Sequence, residues 1–559
     1  MSLQRRIAAA RGRIESDLVL TNARILDVFT CTYRTCDLSI WEGVIVGVDA
    51  GMPAKRKVDL GGRTVVPGFI DAHVHVESSL LVPKNFQRAV LPKGTTTAVC
   101  DPHELANVLG VRGIEYFLDE AEALTLDLRV MLSSCVPATT FETNGGGTLE
   151  ADALAPLRAR KKALGLAEVM NVPAVLGGDP AMMAKLEAFD GAPRDGHCPL
   201  LRGQDLSAYA AARITSCHEC SEVEEAREKM QKGLSVWIRE GSVAKDLDAL
   251  GPLLTMATSS SMGFCTDDRN PLDIAEEGHL DHLIRKAIRM GVAPEVAYRA
   301  ASLSVARHYG LAGSHVVEPV GAIAPGYRAD LVVLDDADTC VIHAVYARGR
   351  AVAELDLPSA TGTRENTIRA AIPEEADLLG PSGRVHVIGV RPGRILTDRS
   401  VSAHDAPGVM RISVLERYGK GQKPANGYVR GFGELRGAIA SSVGHDSHNL
   451  IVVGSSPRDM RAALAKVAEM GGGFAVVRDG ATQASLALPF GGLMSDAAPE
   501  DIAKALKVLR AASADIGCEV PEPFLQLAFL SLPVIPSLKL TDRGLMDVDA
   551  FQLIDVRAA

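Results

Sequence analysis

The sequence predicts an α/β protein: alternating βα units, for which a closed (β/α)8 TIM-like barrel is one fold of suitable size, with a small flanking β domain and an additional α+β C-terminal domain. Three observations predict it. The 559-residue chain is too long for one ordinary domain. Over its middle, short apolar runs recur, each followed by a helical stretch; this βα alternation spans about 250 residues, the size of a closed eight-stranded barrel. Before and after that region the apolar residues alternate with period two, as strands do.

The first β region covers 17–66. Its runs are Leu18-Val19-Leu20, Ile25-Leu26, Leu38-Ser39-Ile40 and Val44-Ile45-Val46, punctuated by Gly and Asp. From Val65 the alternating βα pattern begins. Its strand-like runs are 97–100, 130–132, 167–170, 214–217, 235–238 and 263–266, with helices expected at 221–232 and 281–290. Strand patterning returns at His315-Val316-Val317 and at Leu331-Val332-Val333-Leu334, which should rejoin the first β region. The domains expected are therefore a discontinuous β domain (1–66 and 319–357), a βα region of barrel size (67–318) and a C-terminal domain (367–559). A polar linker covers 358–366. The last domain mixes strands at 385–390, 411–415 and 449–453 with helices at 457–470 and 499–511.

Composition excludes several classes. A charged fraction of 23% is ordinary for a globular protein and argues against extensive disorder. A net charge of -10 argues against a nucleic-acid surface, while a single base or other small molecule stays open as substrate. No run of eighteen apolar residues is present, so no membrane span is expected. Arg5, Arg6, Arg11 and Arg13 lack the apolar core of a secretory signal; acidic residues follow at once, and a short solvated helix is the reading over a transit peptide. Ten cysteines without a repeating pattern fit reduced thiols in a cytoplasmic enzyme. Cys217 and Cys220 form a CxxC pair, but no second pair completes a structural zinc site.

The strongest chemical signal is His73-Val74-His75. In a strand, residues i and i+2 face one side, so two imidazoles reach one point: half of a metal site, or two structural histidines. Glu168, His197, His218 and Asp267 each close a strand-like run. One such residue is usually structural. Six at successive strand ends of a parallel barrel converge on one mouth, where catalytic groups of that fold sit. Four imidazoles and two carboxylates exceed what one tetrahedral ion takes. Two divalent ions bridged by a carboxylate use the whole set, and such a pair can hold hydroxide near neutral pH. The mixed donors suit Mn(II), Fe(II) or Zn(II).

With those residues in hand, the chain resembles the amidohydrolase superfamily and, within it, the bacterial adenine deaminases. The superfamily-like stretches are PGFIDAHVH (67–75) and GYRADL (326–331). More specific to the adenine deaminases are VESS (76–79), GTTT (94–97), DPHELAN (101–107), EVMN (168–171), REGS (239–242) and TDDR (266–269). GHDSHN (444–449), GLMSD (492–496) and LKLTD (538–542) extend the likeness through the tail. The resemblance implies a barrel inserted in a β-sandwich. It implies one metal on His73, His75 and Asp267, another on His197 and His218, and Glu168 as the bridge. Many relatives bridge with a carboxylated lysine; Lys161 and Lys162 are not placed for that. Asp267 would also act as general base and acid, and the products would be hypoxanthine and ammonia.

Substrate contacts implied by the same likeness are His103 and Glu104 after the second barrel strand, and Arg239, Glu240 and Ser242 after the seventh. Asp268 and Arg269 sit beside a metal ligand. Each is equally readable as a solvated loop residue. Asp71 shares the His73 and His75 face and reads as their support. His445, Asp446 and His448 are either a lid or extra site over the mouth, or a polar turn.

Four other readings compete with this one. A dihydropyrimidinase- or dihydroorotase-like cyclic amidohydrolase shares the metals but usually lacks Glu168 and the long tail. A dead-barrel scaffold loses ligands, whereas all six are present. Polynucleotide deaminases carry H-x-E and P-C-x-x-C signatures that this chain lacks. Adenosine deaminases use one zinc and lack the bridging carboxylate. The partner expected is a free purine base, with no nucleic acid and no membrane, and a homodimer is the expected assembly.

Overall fold

The structure, a computed structural model, describes residues 2–313, 316–421 and 423–558. It opens on the helix Leu3–Ala10, whose Ala9 packs against Trp41 and Val46. Strands Ser16–Asp27, Thr32–Trp41, Val44–Gly47, Ala54–Asp59 and Thr64–Pro67 then join Leu331–Asp336, Val341–Ala347 and Arg350–Ala351 in one eight-stranded sheet. The join is antiparallel, with Val332 opposite Val66 and Leu334 opposite Thr64. Leu18, Leu20, Ile25, Ile40, Val65, Leu331 and Val333 form that sheet's own core. Of the run expected to open the returning strand, His315 lies outside the described residues, and Val316 and Val317 form a bend. Val317 is 84% exposed, so it has no apolar surface to pair against.

The apolar run Val65 to Ile70 divides at Gly68. Thr64–Pro67 belongs to the first sheet, and Phe69–Val74 starts the barrel. A Cβ at Gly68 would lie 2.2 Å from the Thr96 hydroxyl, so only glycine lets the chain pass between the two sheets here.

Eight parallel strands follow in sequence order: Phe69–Val74, Thr95–Cys100, Asp127–Leu132, Ala163–Val169, Arg194–Gly196, Ser216–Cys217, Ser235–Arg239 and Met262–Cys265. The first five pair as one sheet and the last three as another. Main-chain hydrogen bonds join the two edges: Thr215 N donates to Arg194 O (3.0 Å) and Asp267 N to His73 O (3.0 Å). The result is a TIM-like ring with helices between successive strands, among them Val223–Gln231 and Leu280–Arg289. The fifth strand is polar in sequence yet fully buried, because Asp195 accepts from Ser216 Oγ (2.7 Å) and Tyr309 Oη (2.8 Å).

The segment 358–366 is irregular but tied down: Ala360 N donates to Asn85 Oδ1 and Thr363 N to Asp496 Oδ2. Beyond it lies a second eight-stranded mixed sheet, in the order 397–403, 384–390, 425–430, 409–415, 450–454, 438–441, 473–478, 481–487. Helices Pro457–Glu469 and Pro499–Asp515 accompany it, and Leu538–Thr541, Gly544–Asp547 and Gln552–Ile554 make a small antiparallel sheet. Among the described residues no helix is long and apolar enough to cross a membrane.

Arg328 locks the first sheet to the base of the barrel. Fully buried, it donates to Asp127 Oδ2 (2.6 Å), to Thr97 Oγ1 (3.0 Å) and to Asp330. Burial would raise the Asp127 carboxyl, but Arg328, Arg129 and Lys162 hold it well below the usual range. Removing one partner of a buried pair costs about 3–5 kcal/mol, so Arg328→Met is expected to lower the urea unfolding midpoint by that much stability. A midpoint equal to the parent's would show that this junction does not hold the sheets together.

Candidate functional site

The site is built at the C-terminal ends of the barrel strands. Asp71 sets its register. Its Oδ1 accepts from Thr266 N (3.1 Å) and from His73 N (3.4 Å), and its Oδ2 accepts from Thr266 Oγ1 (2.6 Å). It therefore supports the histidine pair through the main chain rather than through an imidazole. Burial pushes its carboxyl up to about 7. The clamp joins the first and eighth strands, and His75 N donates to Asp267 O (3.2 Å). Asp267 adopts the left-handed conformation, φ 53°, which Asp tolerates better than most residues and which turns its side chain into the ring.

Glu168 stands at the centre, 1% exposed. Its Oε1 lies 3.3 Å from His75 Nε2 and 3.7 Å from His73 Nε2. Its Oε2 lies 2.7 Å from His197 Nδ1 and 3.3 Å from His218 Nε2. One carboxylate thus faces two separate imidazole pairs, one with each oxygen. Asp267 Oδ1 approaches the first pair, at 3.2 Å from His75 Nε2 and 3.5 Å from His73 Nε2. His73 and His218 stack at 3.9 Å, so the six side chains form one compact cluster. These donors fall into sets that could each hold a divalent ion, including Glu168 with His197 and His218, and Asp267 with His73 and His218. His197 Nε2, buried without a hydrogen-bond partner in the described structure, fits a cluster built to bind something further.

Charge follows from the same packing. Burial would raise both acids, yet His218 and His197 hold the Glu168 carboxyl well below its usual range, and His73, His75 and Arg239 do the same for Asp267. Burial would depress His218, but Glu168 lifts it to about 9; burial and the charge of His218 push His73 down to about 4. A divalent ion would take the place of the imidazolium protons against these carboxylates.

The expected substrate residues divide. His103 lines the cavity; its Nδ1 is 2.9 Å from Asp101 Oδ2 and 3.4 Å from Glu168 Oε1. Asp268 lines it too, and burial with the charge of Asp267 pushes its carboxyl up to about 6. Arg239 lines it, but its guanidinium is engaged by Glu219, Asp246 and Asp267 (3.1 Å to Asp267 Oδ2), so it orients the acid rather than meeting a ligand. Glu104 lies just behind, accepting from Ser78 Oγ (2.9 Å). Three expectations fail. Glu240 turns away to Lys286 Nζ (2.6 Å) and Leu247 N (3.2 Å). Ser242 Oγ accepts from Asn270 N (3.0 Å). Arg269 donates to Gly278 O, Glu240 O and Glu277 Oε2. In each case a buried loop needs these polar groups for its own main chain or charge.

The C-terminal sheet supplies the rest. His445 and Asp446 line the cavity, and His103 Nε2 lies 3.5 Å from Asp446 Oδ1. His448 does not line it: its Nδ1 accepts from Gly444 N (3.3 Å) inside the turn. Ile395, Phe529 and Leu532 roof the space, with Met170 and Glu219 from the barrel. Sequence reasoning missed all five. Glu219 adjoins His218 and Met170 follows Glu168 by two, so proximity to a ligand was the available signal; nothing in the sequence marks the other three. The space so lined is polar on the barrel side and largely apolar on the C-terminal side.

Comparisons with known proteins cover both halves. Residues 64–352 match the amidohydrolase family, and residues 394–552 match the adenine deaminase C-terminal domain. Proteins named adenine deaminase from Methylobacterium sp. (strain 4-46), Methylobacterium nodulans and Cereibacter sphaeroides are 51%, 50% and 50% identical to the chain, each over 99% of both sequences.

The central position of Glu168 gives a direct expectation. Loss of an outer partner of a metal ligand typically weakens metal affinity by about 10–100-fold, and Glu168→Gln should do at least that. Metal retained after dialysis, measured by inductively coupled plasma mass spectrometry, checks it; parental retention would remove Glu168 from the donor set.

Proposed function

The chain belongs to the amidohydrolase family and to its adenine deaminase branch, and from this premise we propose that it hydrolyses adenine to hypoxanthine and ammonia at the strand-end cluster. One observation carries the assignment of the site: Glu168 presents one oxygen to His73 and His75 and the other to His197 and His218. In this reading His73, His75, Asp267, His197, His218 and Glu168 would hold two divalent ions, Mn(II), Fe(II) or Zn(II). Such ions bring water toward ionisation near neutral pH and so supply the nucleophile.

The chain's own groups do the remainder. Asp267, kept ionised by its imidazole neighbours and Arg239, accepts a proton on its carboxylate as water adds to C6 of the purine. It returns that proton to the departing amine, so water and adenine give hypoxanthine and ammonia without another reagent. Arg239 holds Asp267 in place. His103, Asp268, His445 and Asp446 are the polar groups for the ring nitrogens, and Phe529, Ile395, Leu532 and Met170 are the apolar faces for a flat ring. Burial of the site excludes bulk water, which strengthens each of these interactions. A homodimer, the commonest closed assembly, belongs to the same proposal.

Ring opening of a cyclic amide is the lesser reading. Lys162 pairs with Asp127 Oδ1 (2.7 Å) at the start of the third strand, far along the barrel from the strand ends, which leaves no lysine in the bridging place.

Ammonia release measured with adenine, adenosine and dihydrouracil, on protein reconstituted with Mn(II) or Fe(II), tests the proposal. Turnover of adenine alone is expected. Asp267→Asn should lower kcat by about 10²–10⁴, the span of general acid–base catalysis. Ring opening of dihydrouracil without adenine turnover would leave the site and overturn the substrate.

A further inference from the structure

Two separate C-terminal segments roof the cavity, and one side chain joins them. Ile395 lies in the irregular stretch before the strand Thr397–Ala403, and Phe529 begins a single 3-10 turn, Phe529–Ser531. Lys539, in the strand Leu538–Thr541, is fully buried. Its Nζ donates to Ile395 O at 2.8 Å and to Phe529 O at 2.9 Å. Both carbonyls belong to residues whose side chains line the cavity.

Burial pushes the Lys539 ammonium down to about 7, with no acidic neighbour offsetting it. A buried cation without a counter-ion is a costly choice for mere filling, since an apolar chain occupies the same space without desolvation. What the ammonium offers is several donors on one atom, enough to hold two carbonyls from segments over 130 residues apart in sequence. The roof also fixes the polar wall. The Phe529 ring lies flat on the His445 imidazole at 4.6 Å and 6°, and His445 N donates to Ala528 O (3.1 Å). Ser531 Oγ donates to His445 O (3.1 Å).

Resting on the reading that this cavity takes adenine, we propose that Lys539 is a positioning residue for the substrate: by pinning the main chain at Ile395 and Phe529 it sets the gap between the apolar roof and the imidazole–carboxylate floor in which the purine lies. Lys539 touches neither the substrate nor the proposed metal donors, so its loss acts on binding rather than on the chemical step.

Steady-state kinetics of Lys539→Met, with metal content measured in parallel, test this. KM for adenine should rise about tenfold while kcat stays within about threefold, the signature of lost uniform binding. Bound metal should equal the parent's. Phe529→Leu should show the same split, and the double variant should lose little beyond the worse single one, because Lys539 acts by placing the ring that Phe529 carries. Should Lys539→Met fail to fold, Phe529→Leu by itself carries the comparison, with the same rise in KM, kcat within about threefold and parental metal content expected. An unchanged KM, a loss confined to kcat, a fall in bound metal, or additive losses in the double variant would overturn the inference. Parental protein that leaves adenine untouched would instead be a failure of the functional reading.

Discussion

A fully buried carboxylate with four imidazoles around it is the constraint on which the rest of this structure depends. Glu168 cannot be taken out of water as an ion unless positive charge or strong donors meet both of its oxygens. The barrel meets that demand with side chains from four different strands: His73 and His75 from the first, Glu168 itself from the fourth, His197 from the fifth and His218 from the sixth. Each strand must then end at the same height. The Asp71–Thr266 clamp and the Asp267–His73 main-chain bond fix that height where the ring closes. Arg328 fixes the other end of the barrel against the first sheet.

The second demand is for a closed reaction space. A bare barrel mouth is open to water. Here loops and a 3-10 turn of the C-terminal region bring His445, Asp446, Ile395, Phe529 and Leu532 over the strand ends. Val243 and Ala244, from the loop after the seventh strand, pack with Ile395, Phe529, Leu532 and Ile535, so the loop that follows Arg239 is gripped by the covering domain. Positioning of Asp267 and closure of the pocket are mechanically linked: Arg239 reaches Asp267 from the end of the seventh strand, and Asp246, beyond that gripped loop, holds Arg239.

Polar residues near the site serve two purposes that their types alone do not separate. Glu240, Ser242 and Arg269 stand in motifs rich in chemically capable groups, yet their side chains satisfy buried loop main chain and a lysine. Asp268, next to Arg269, faces the cavity instead. Adjacent residues in an irregular stretch point in different directions, and only the path of the chain decides which way.

The βα alternation, the returning Leu331–Leu334 strand and the six residues of the strand-end cluster were legible in the sequence, because each is a local signal: an apolar run of strand length, or a His or carboxylate at its end. Alternation within a strand even placed His73 and His75 on one side. It could not show the fifth strand, whose Arg194-Asp195-Gly196 is polar and is buried only because Ser216 and Tyr309, distant in the chain, satisfy Asp195. Nor could it show that Ile395 and Phe529 line the cavity, or that Lys539 bonds the main chain of both. Apolar residues and a lysine carry no chemical mark, and their place is set by sheet pairing between segments far apart in sequence. Tertiary structure alone decided which neighbours each buried polar group would find, since burial makes a partner obligatory while sequence leaves its identity open.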